Sequence, residues 1–160
     1  MPHLSSSAQK FQDFLRSQGP AYIVIEFNES TRTAQEAADR VGCQLGQIVK
    51  SLIFRGKTTN KGVLVLTSGT NRADESKISQ VTGEPITRPD ADFVRALTGF
   101  SIGGVPPVGH ITSIETYIDE DLLQYPTVWA SAGTPNAVFE LSPSDLVNLS
   151  RGKAIPVKES

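Results

Sequence analysis

Two strands can be read in Gln47–Gly69, QIVKSLIFRGKTTNKGVLVLTSG. QIVKSLIF and VLVLTSG are β-branched and apolar, and RGKTTNKG between them is rich in turn formers. The pattern predicts an antiparallel hairpin with a long loop. Alternation along the first strand places Lys50 on the same face as Ile48, Leu52 and Phe54. A lysine on an apolar face is either a snorkelling or edge-strand residue, or a cation at the mouth of a pocket, able to hold a phosphate or stabilise an oxyanion.

Before the hairpin, Ser5 to Gln18 predicts a helix, with Phe11, Phe14 and Leu15 on one face and Gly19-Pro20 as its stop. AYIVIEF, residues 21–27, reads as a strand. Thr33 opens a second helix, with Glu36 three residues on as in a capping box and Gly42 as its end. Beyond the hairpin, Asp74–Thr82 and Asp90–Thr98 predict helices that end at Gly83 and Gly99. ITSIETYI (111–118), TVWASAG (127–133) and AVFEL (137–141) read as strands, with a helical turn around DEDLLQY. Ser142-Pro143 starts a last helix, and GKAIPVKES reads as a strand or tail. Strands outnumber the regular alternation of a doubly wound sheet. The expected class is therefore α+β: one domain over 1–160 with a core at about 22–149, built on a mixed, largely antiparallel, barrel-like sheet with helices around it.

With 160 residues, such a domain buries roughly two thirds of its unfolded surface and needs no staple. Cys43 is the single cysteine, which excludes an internal disulfide and reads as a small apolar residue. The chain shows no apolar run of membrane-spanning length and no signal peptide, so a soluble, cytoplasmic protein is expected, with no membrane partner. A net charge of −2 argues against a broad nucleic-acid-coating surface and leaves room for a local contact. Lys50, Arg55, Lys57, Lys61, Arg72 and Lys77 fall in one stretch, whereas Thr112–Asp145 contains acids and no Lys or Arg.

Catalytic signatures are scarce. The sequence has no P-loop, G-x-S-x-G, H-E-x-x-H or C-x-x-C, and His3 and His110 are its only histidines. No metal and no cofactor is expected. The other unusual stretch is Thr98–His110, TGFSIGGVPPVGH. It is either a surface loop whose glycines allow positive φ, or a rigid pocket wall. In the second case Gly103 and Gly104 offer bare backbone to a ligand, and Pro106-Pro107 fix the neighbouring φ angles. In TSGTNRADESK, Arg72 precedes the Asp74 helix start, which suits either a plain capped helix or a phosphate contact.

IVKSLIF, LTSGTNRADESKI, TGFSIGGVPPVGH, WASAG and FELSPSDL, in this order, resemble the YbaK/prolyl-tRNA synthetase-associated domain family, from about Tyr22 to Leu149. The resemblance implies an aminoacyl-tRNA deacylase that removes wrongly attached small amino acids such as alanine or cysteine, most often from tRNA(Pro). With no synthetase segment in the chain, it implies a free-standing trans-editing protein. Its partners would be the aminoacylated 3′ end of tRNA and prolyl-tRNA synthetase. It places Lys50 near the terminal adenosine and Gly103, with Gly104, beside the scissile ester. It further implies substrate-binding positions at Thr33, Ser68, Gly69, Arg72, Val105, Pro106, Pro107, Ser131 and Gly133, and leaves His110 without a role. Some cysteine-acting relatives carry an acidic residue where this chain has Val138, which makes an alanine-like or other small substrate at least as plausible as cysteine. A non-catalytic module for tRNA ends or a synthetase is the competing reading.

Overall fold

A computed structural model of the chain describes residues 3–19, 22–28 and 33–159. Pro20, Ala21 and Ser160, parts of the segments read above as a helix stop, a strand start and a tail, lie outside the described residues. The helices are α1 (Ser6–Ser17), α2 (Ala34–Val41), α3 (Glu75–Thr82), α4 (Ala91–Thr98) and α5 (Pro143–Ser150). The strands are β1 (Val24–Glu26), β2 (Ile48–Gly56), β3 (Gly62–Ser68), β4 (Ile86–Thr87), β5 (Glu115–Asp119), β6 (Val128–Ser131), β7 (Ala137–Leu141) and β8 (Lys153–Ile155). Short 3-10 turns at Leu45–Gln47 and Glu120–Gln124 precede β2 and follow β5.

Helix ends fall where the cap residues require. The Thr33 hydroxyl accepts the Glu36 N–H at 3.1 Å, the Asp90 carboxylate accepts that of Phe93 at 2.9 Å, and Ser142 accepts that of Asp145 at 3.1 Å. Each supplies an acceptor to a first-turn donor that has no partner within its helix. Gly42, Gly83 and Gly99 close α2, α3 and α4 at positive φ.

The predicted hairpin is present and central, paired antiparallel from Val49↔Ser68 to Arg55↔Gly62. Sheet order is β1-β7-β6-β2-β3-β5-β8, with β4 on the far end of β2. Residues of β3 alternate between two cores. Leu64 and Leu66 pack with Phe11, Leu15, Phe100 and Phe139 on one face, whereas Val63 and Val65 pack with Phe54, Ile78 and Ile155 on the other. Burial on both faces explains the continuous apolar run of β3. Phe11 anchors the larger core, its ring 5.3 Å from that of Phe139 and 6.4 Å from that of Phe100.

The α+β class and the mixed sheet agree with expectation, but the sheet is open, with β1 and β8 as its unpaired ends rather than a closed barrel. The β2·β6, β3·β5 and β5·β8 pairings are parallel. The strand expected over 111–118 begins only at Glu115, because Ile111 is 65% exposed and its N–H is tied to the Thr98 carbonyl at 3.2 Å. β4 was not expected; two residues carry too little pattern to be read.

β2 and β6 pair only at Ile48↔Trp129 and Val49↔Ala130 and then part. The Thr98–His110 loop is fixed beside the parting strands. The Gly104 carbonyl accepts the Gly133 N–H at 3.1 Å, and the Gly104 N–H donates to Ser101 at 3.0 Å. A Cβ at Gly104 would stand 2.8 Å from the Thr134 Cα. Gly104→Ala is therefore expected to cost about 2 kcal/mol by forcing backbone from backbone, measurable as a lower urea midpoint with an unchanged m-value.

Candidate active site

The opening between β2 and β6 forms a cleft of about 620 Å³, a usual size for a small-molecule site. Its walls come from four places: β2 from Ile48 to Leu52, the start of α2 (Thr33, Ala34, Ala37), Ile102 and Gly103 of the loop, and Trp129, Ser131 and Val138 of β6 and β7. A larger concavity of about 770 Å³ lies between the hairpin turn and α4 but contains none of the candidate residues.

Lys50 enters this cleft because strand alternation leaves it no other side. Its Nζ donates to the Asn71 carbonyl at 2.6 Å and makes no ion pair among the described residues. Burial pushes its pKa below the ordinary lysine value; the Asp119 carboxylate pushes the other way, while Arg72 and Arg88 add to the lowering. An ammonium has three donors, so the contact with Asn71 leaves two for a ligand.

Gly103 lines the cleft at φ +89°, a conformation that side chains rarely adopt. The Ser131 hydroxyl donates to the Gly103 carbonyl at 3.3 Å, and the Gly103 N–H meets no acceptor among the described residues. Gly104 differs: both of its backbone groups are engaged within the protein, so it stands behind the cleft wall rather than on it. Val105 is in the core, and Pro106 and Pro107 are buried residues of the loop outside the cleft lining. His110 donates from Nε2 to the Pro106 carbonyl at 2.6 Å and lies outside the cleft. Because a carbonyl only accepts, that bond fixes which ring nitrogen carries the proton.

The other candidate positions divide in the same way. Thr33 and Ser131 line the cleft with Lys50 and Gly103. Ser68 and Gly69 buttress the strand ends instead. Ser68 bonds Asp119 through its N–H at 3.0 Å and the Gly46 carbonyl through its hydroxyl at 2.7 Å. Gly69 donates its N–H to the Ile48 carbonyl, and a Cβ there would strike the Leu45 carbonyl. Gly133 lies against α1, where a Cβ would come 2.8 Å from the Ser7 carbonyl. Arg72 is exposed, close enough for its charge to act on Lys50.

Sequence reasoning missed Trp129 and Ile102 as walls, Asn71 as the partner of Lys50, and Ser51. The Ser51 hydroxyl is buried at the cleft without a hydrogen-bond partner. A polar residue directly after an apolar-face lysine is the signal that could have drawn attention to it. Among the described residues the cleft lining includes no histidine, cysteine, aspartate or glutamate. Among the described residues no group of three such side chains could hold a metal ion, and no helix is long and apolar enough to cross a membrane.

A family model for the aminoacyl-tRNA editing domain matches residues 28–149. The chain belongs to this family. Its fold also matches a solved structure described as a "putative trans-editing enzyme for prolyl tRNA synthetase", with 47% identity and a TM-score of 0.93 over 99% of this chain and 100% of that one. It is 35% identical over 130 residues to the "Uncharacterized protein YwhH" of Bacillus subtilis, covering 81% of this chain and 82% of that protein. It is 29% identical over 135 residues, 82% of each chain, to the "Putative Cys-tRNA(Pro)/Cys-tRNA(Cys) deacylase EbsC" of Enterococcus faecalis. In this editing domain Lys50 and Gly103 both lie on the walls of the same cleft.

In this editing domain burial pushes the pKa of His110 below the ordinary histidine value, against the opposing effect of its bond to Pro106. The unfolded chain, titrating near 6.5, therefore binds that proton first. Stability from the neutral ring is complete above about pH 6.5 and is lost as pH falls toward the lower folded value. Melting temperature should drop between pH 7.5 and 5.5, and drop less in His110→Gln.

Proposed function

We propose that this editing domain is an aminoacyl-tRNA deacylase that acts in trans in the cytoplasm. It hydrolyses the ester of tRNA(Pro) carrying a small non-cognate amino acid and works alongside prolyl-tRNA synthetase. The observation that carries the reading is a cleft with a cation on one wall, bare glycine backbone on another and, among the described residues, no histidine, cysteine or carboxylate side chain between them. An aminoacyl ester is already activated, so positioning and charge stabilisation can provide most of the acceleration.

In this mechanism the terminal adenosine enters the cleft with its ribose toward Lys50, whose free donors hold oxygens of the 3′ end. The Gly103 N–H faces the carbonyl oxygen as negative charge develops on it. Water, activated by a hydroxyl of the substrate itself, adds to the carbonyl carbon. The bond to the ribose oxygen then breaks, that oxygen takes up a proton, and free amino acid and tRNA leave. Ser131 steadies the loop through the Gly103 carbonyl, and Arg72 stands where a phosphate of the acceptor end can reach it. The names of the related trans-editing and deacylase proteins support this assignment.

Side-chain selection falls to the apolar walls. Val138 offers no hydrogen-bond partner to a thiol or hydroxyl and suits the methyl group of alanine. Discrimination by a single methylene is worth only about 1–3 kcal/mol, so other small residues should be released more slowly rather than refused.

Ester loss from tRNA(Pro) charged with Ala, Cys, Ser, 2-aminobutyrate or Pro checks both parts. Alanine should be released fastest and proline spared. Lys50→Ala should lower kcat/KM on the best substrate by about 100-fold, the scale of one lost charge-stabilising group. No release from any of these tRNAs would instead identify a binding module for tRNA ends, and unchanged turnover in Lys50→Ala would remove the lysine from the mechanism.

A further inference from the structure

Lysine is a compact charge on a flexible stem, so something has to stop the Lys50 ammonium from swinging out of the cleft into water. The stop is the Asn71 carbonyl, 2.6 Å from Nζ, and Asn71 is itself held on several sides. Its side-chain amide donates to Asp119 Oδ2 and Asp121 Oδ2, both at 2.8 Å, and its N–H donates to Ser68 at 2.9 Å. Asp119 is 1% exposed. It accepts hydrogen bonds from the Ser68 N–H, the Asn71 amide and, on its other oxygen, the Asp121 N–H. A buried carboxylate with three donors is a fixed point against which the Asn71 amide can be held.

The C-terminal residues complete the brace from the other side. Asp74 donates its N–H to the Val157 carbonyl at 2.8 Å, and Glu159 donates its own to the Arg72 carbonyl at 2.9 Å. Ala73 bridges Lys158, whose ammonium lies 3.6 Å from Asp121 Oδ2. The segment Asn71–Asp74 thus has β5 and the following 3-10 turn on one side and residues 157–159 on the other. Residues 157–159 lie outside the part matched by the family model.

We propose that Asn71 is a positioning residue for Lys50: the two carboxylates orient its amide, and its carbonyl thereby fixes where the ammonium stands in the cleft. The inference rests on the reading of Lys50 as the group that holds the substrate, and it adds the device that aims it. Replacing the side chain leaves the carbonyl in the chain but removes both bonds that orient it. The loss should appear in turnover more than in binding, because misaiming a group held for the transition state lowers kcat.

The test uses protein labelled with 13C in its lysines, the Lys50 Cε signal being identified by its absence in Lys50→Ala. In Asn71→Ala that signal should move to the position of exposed lysines. The kcat for release of the best amino acid should fall about tenfold, with KM within about twofold. Asp121→Asn, at a partly exposed site that keeps the Asp119 contact, should shift the signal in the same direction by less, and serves if Asn71→Ala folds poorly. A Lys50 signal that stays put in the folded variant overturns the proposal, even where kcat falls, since the loss is then general. If the wild-type protein releases no amino acid from any mischarged tRNA, the functional reading fails, while the Lys50 signal still decides whether Asn71 holds the ammonium.

Discussion

β2 is paired with β6 at two residues and no further, and the site follows from that early parting. Strands that separate within a sheet expose backbone groups and apolar side chains that must be covered or left to a ligand. Here both happen. The Thr98–His110 loop covers the deeper part, with Val105 in the core and Gly104 pressed against the Thr134 backbone. The shallower part stays open as the cleft. Gly103 lies where cover gives way to opening, and its φ of +89° is the conformation in which the chain makes that change.

The same parting explains why one lysine can sit on an apolar strand. Full burial would strip the ammonium of water at a cost of several kcal/mol, whereas full exposure would leave it loose and screened. At the cleft it is half-buried, its pKa lowered by burial and held up in part by Asp119. That intermediate position strengthens its pull on an anionic oxygen relative to a surface lysine. The carboxylate that supports the charge also anchors the residue that holds the side chain, so electrostatics and geometry share one source.

Much of this was legible in the sequence, for reasons that differ by element. The hairpin declared itself because both strands are β-branched runs around a turn-rich segment, and the helices because Thr33, Asp74, Asp90 and Ser142 are side chains that cap first-turn donors. Parallel pairings such as Val63↔Glu115 join distant segments and leave no local signal. For the site, Lys50 stood out as a violation of the apolar pattern, and Gly103 as part of an unusual density of glycine. Gly104 carries the same residue type for the opposite reason: it admits the Thr134 backbone rather than a ligand, and composition cannot separate the two uses. Asn71 carries no such signal, because the atom it offers Lys50 is its backbone carbonyl, which every residue has.

On the proposed reading, selection and turnover rest on different parts of the molecule. The walls assigned to the amino-acid side chain come from α2, β6 and β7, whereas the groups assigned to the ester come from β2, the glycine loop and the Asn71 segment. Those two sets meet along the short β2–β6 pairing, where Ile48 also packs on Ala37, and through Ser131, whose hydroxyl reaches the Gly103 carbonyl at 3.3 Å. Val138 pairs with Ile25 and Ser131 rather than with β2, so on the proposed reading a change there alters which side chain fits without moving Lys50. On the same reading, a change in the Asn71 segment misaims the lysine for every substrate alike. Editing domains that share this arrangement can exchange one substrate for another by altering wall residues while retaining the lysine and loop, since the ester they cleave is common to all aminoacyl-tRNAs.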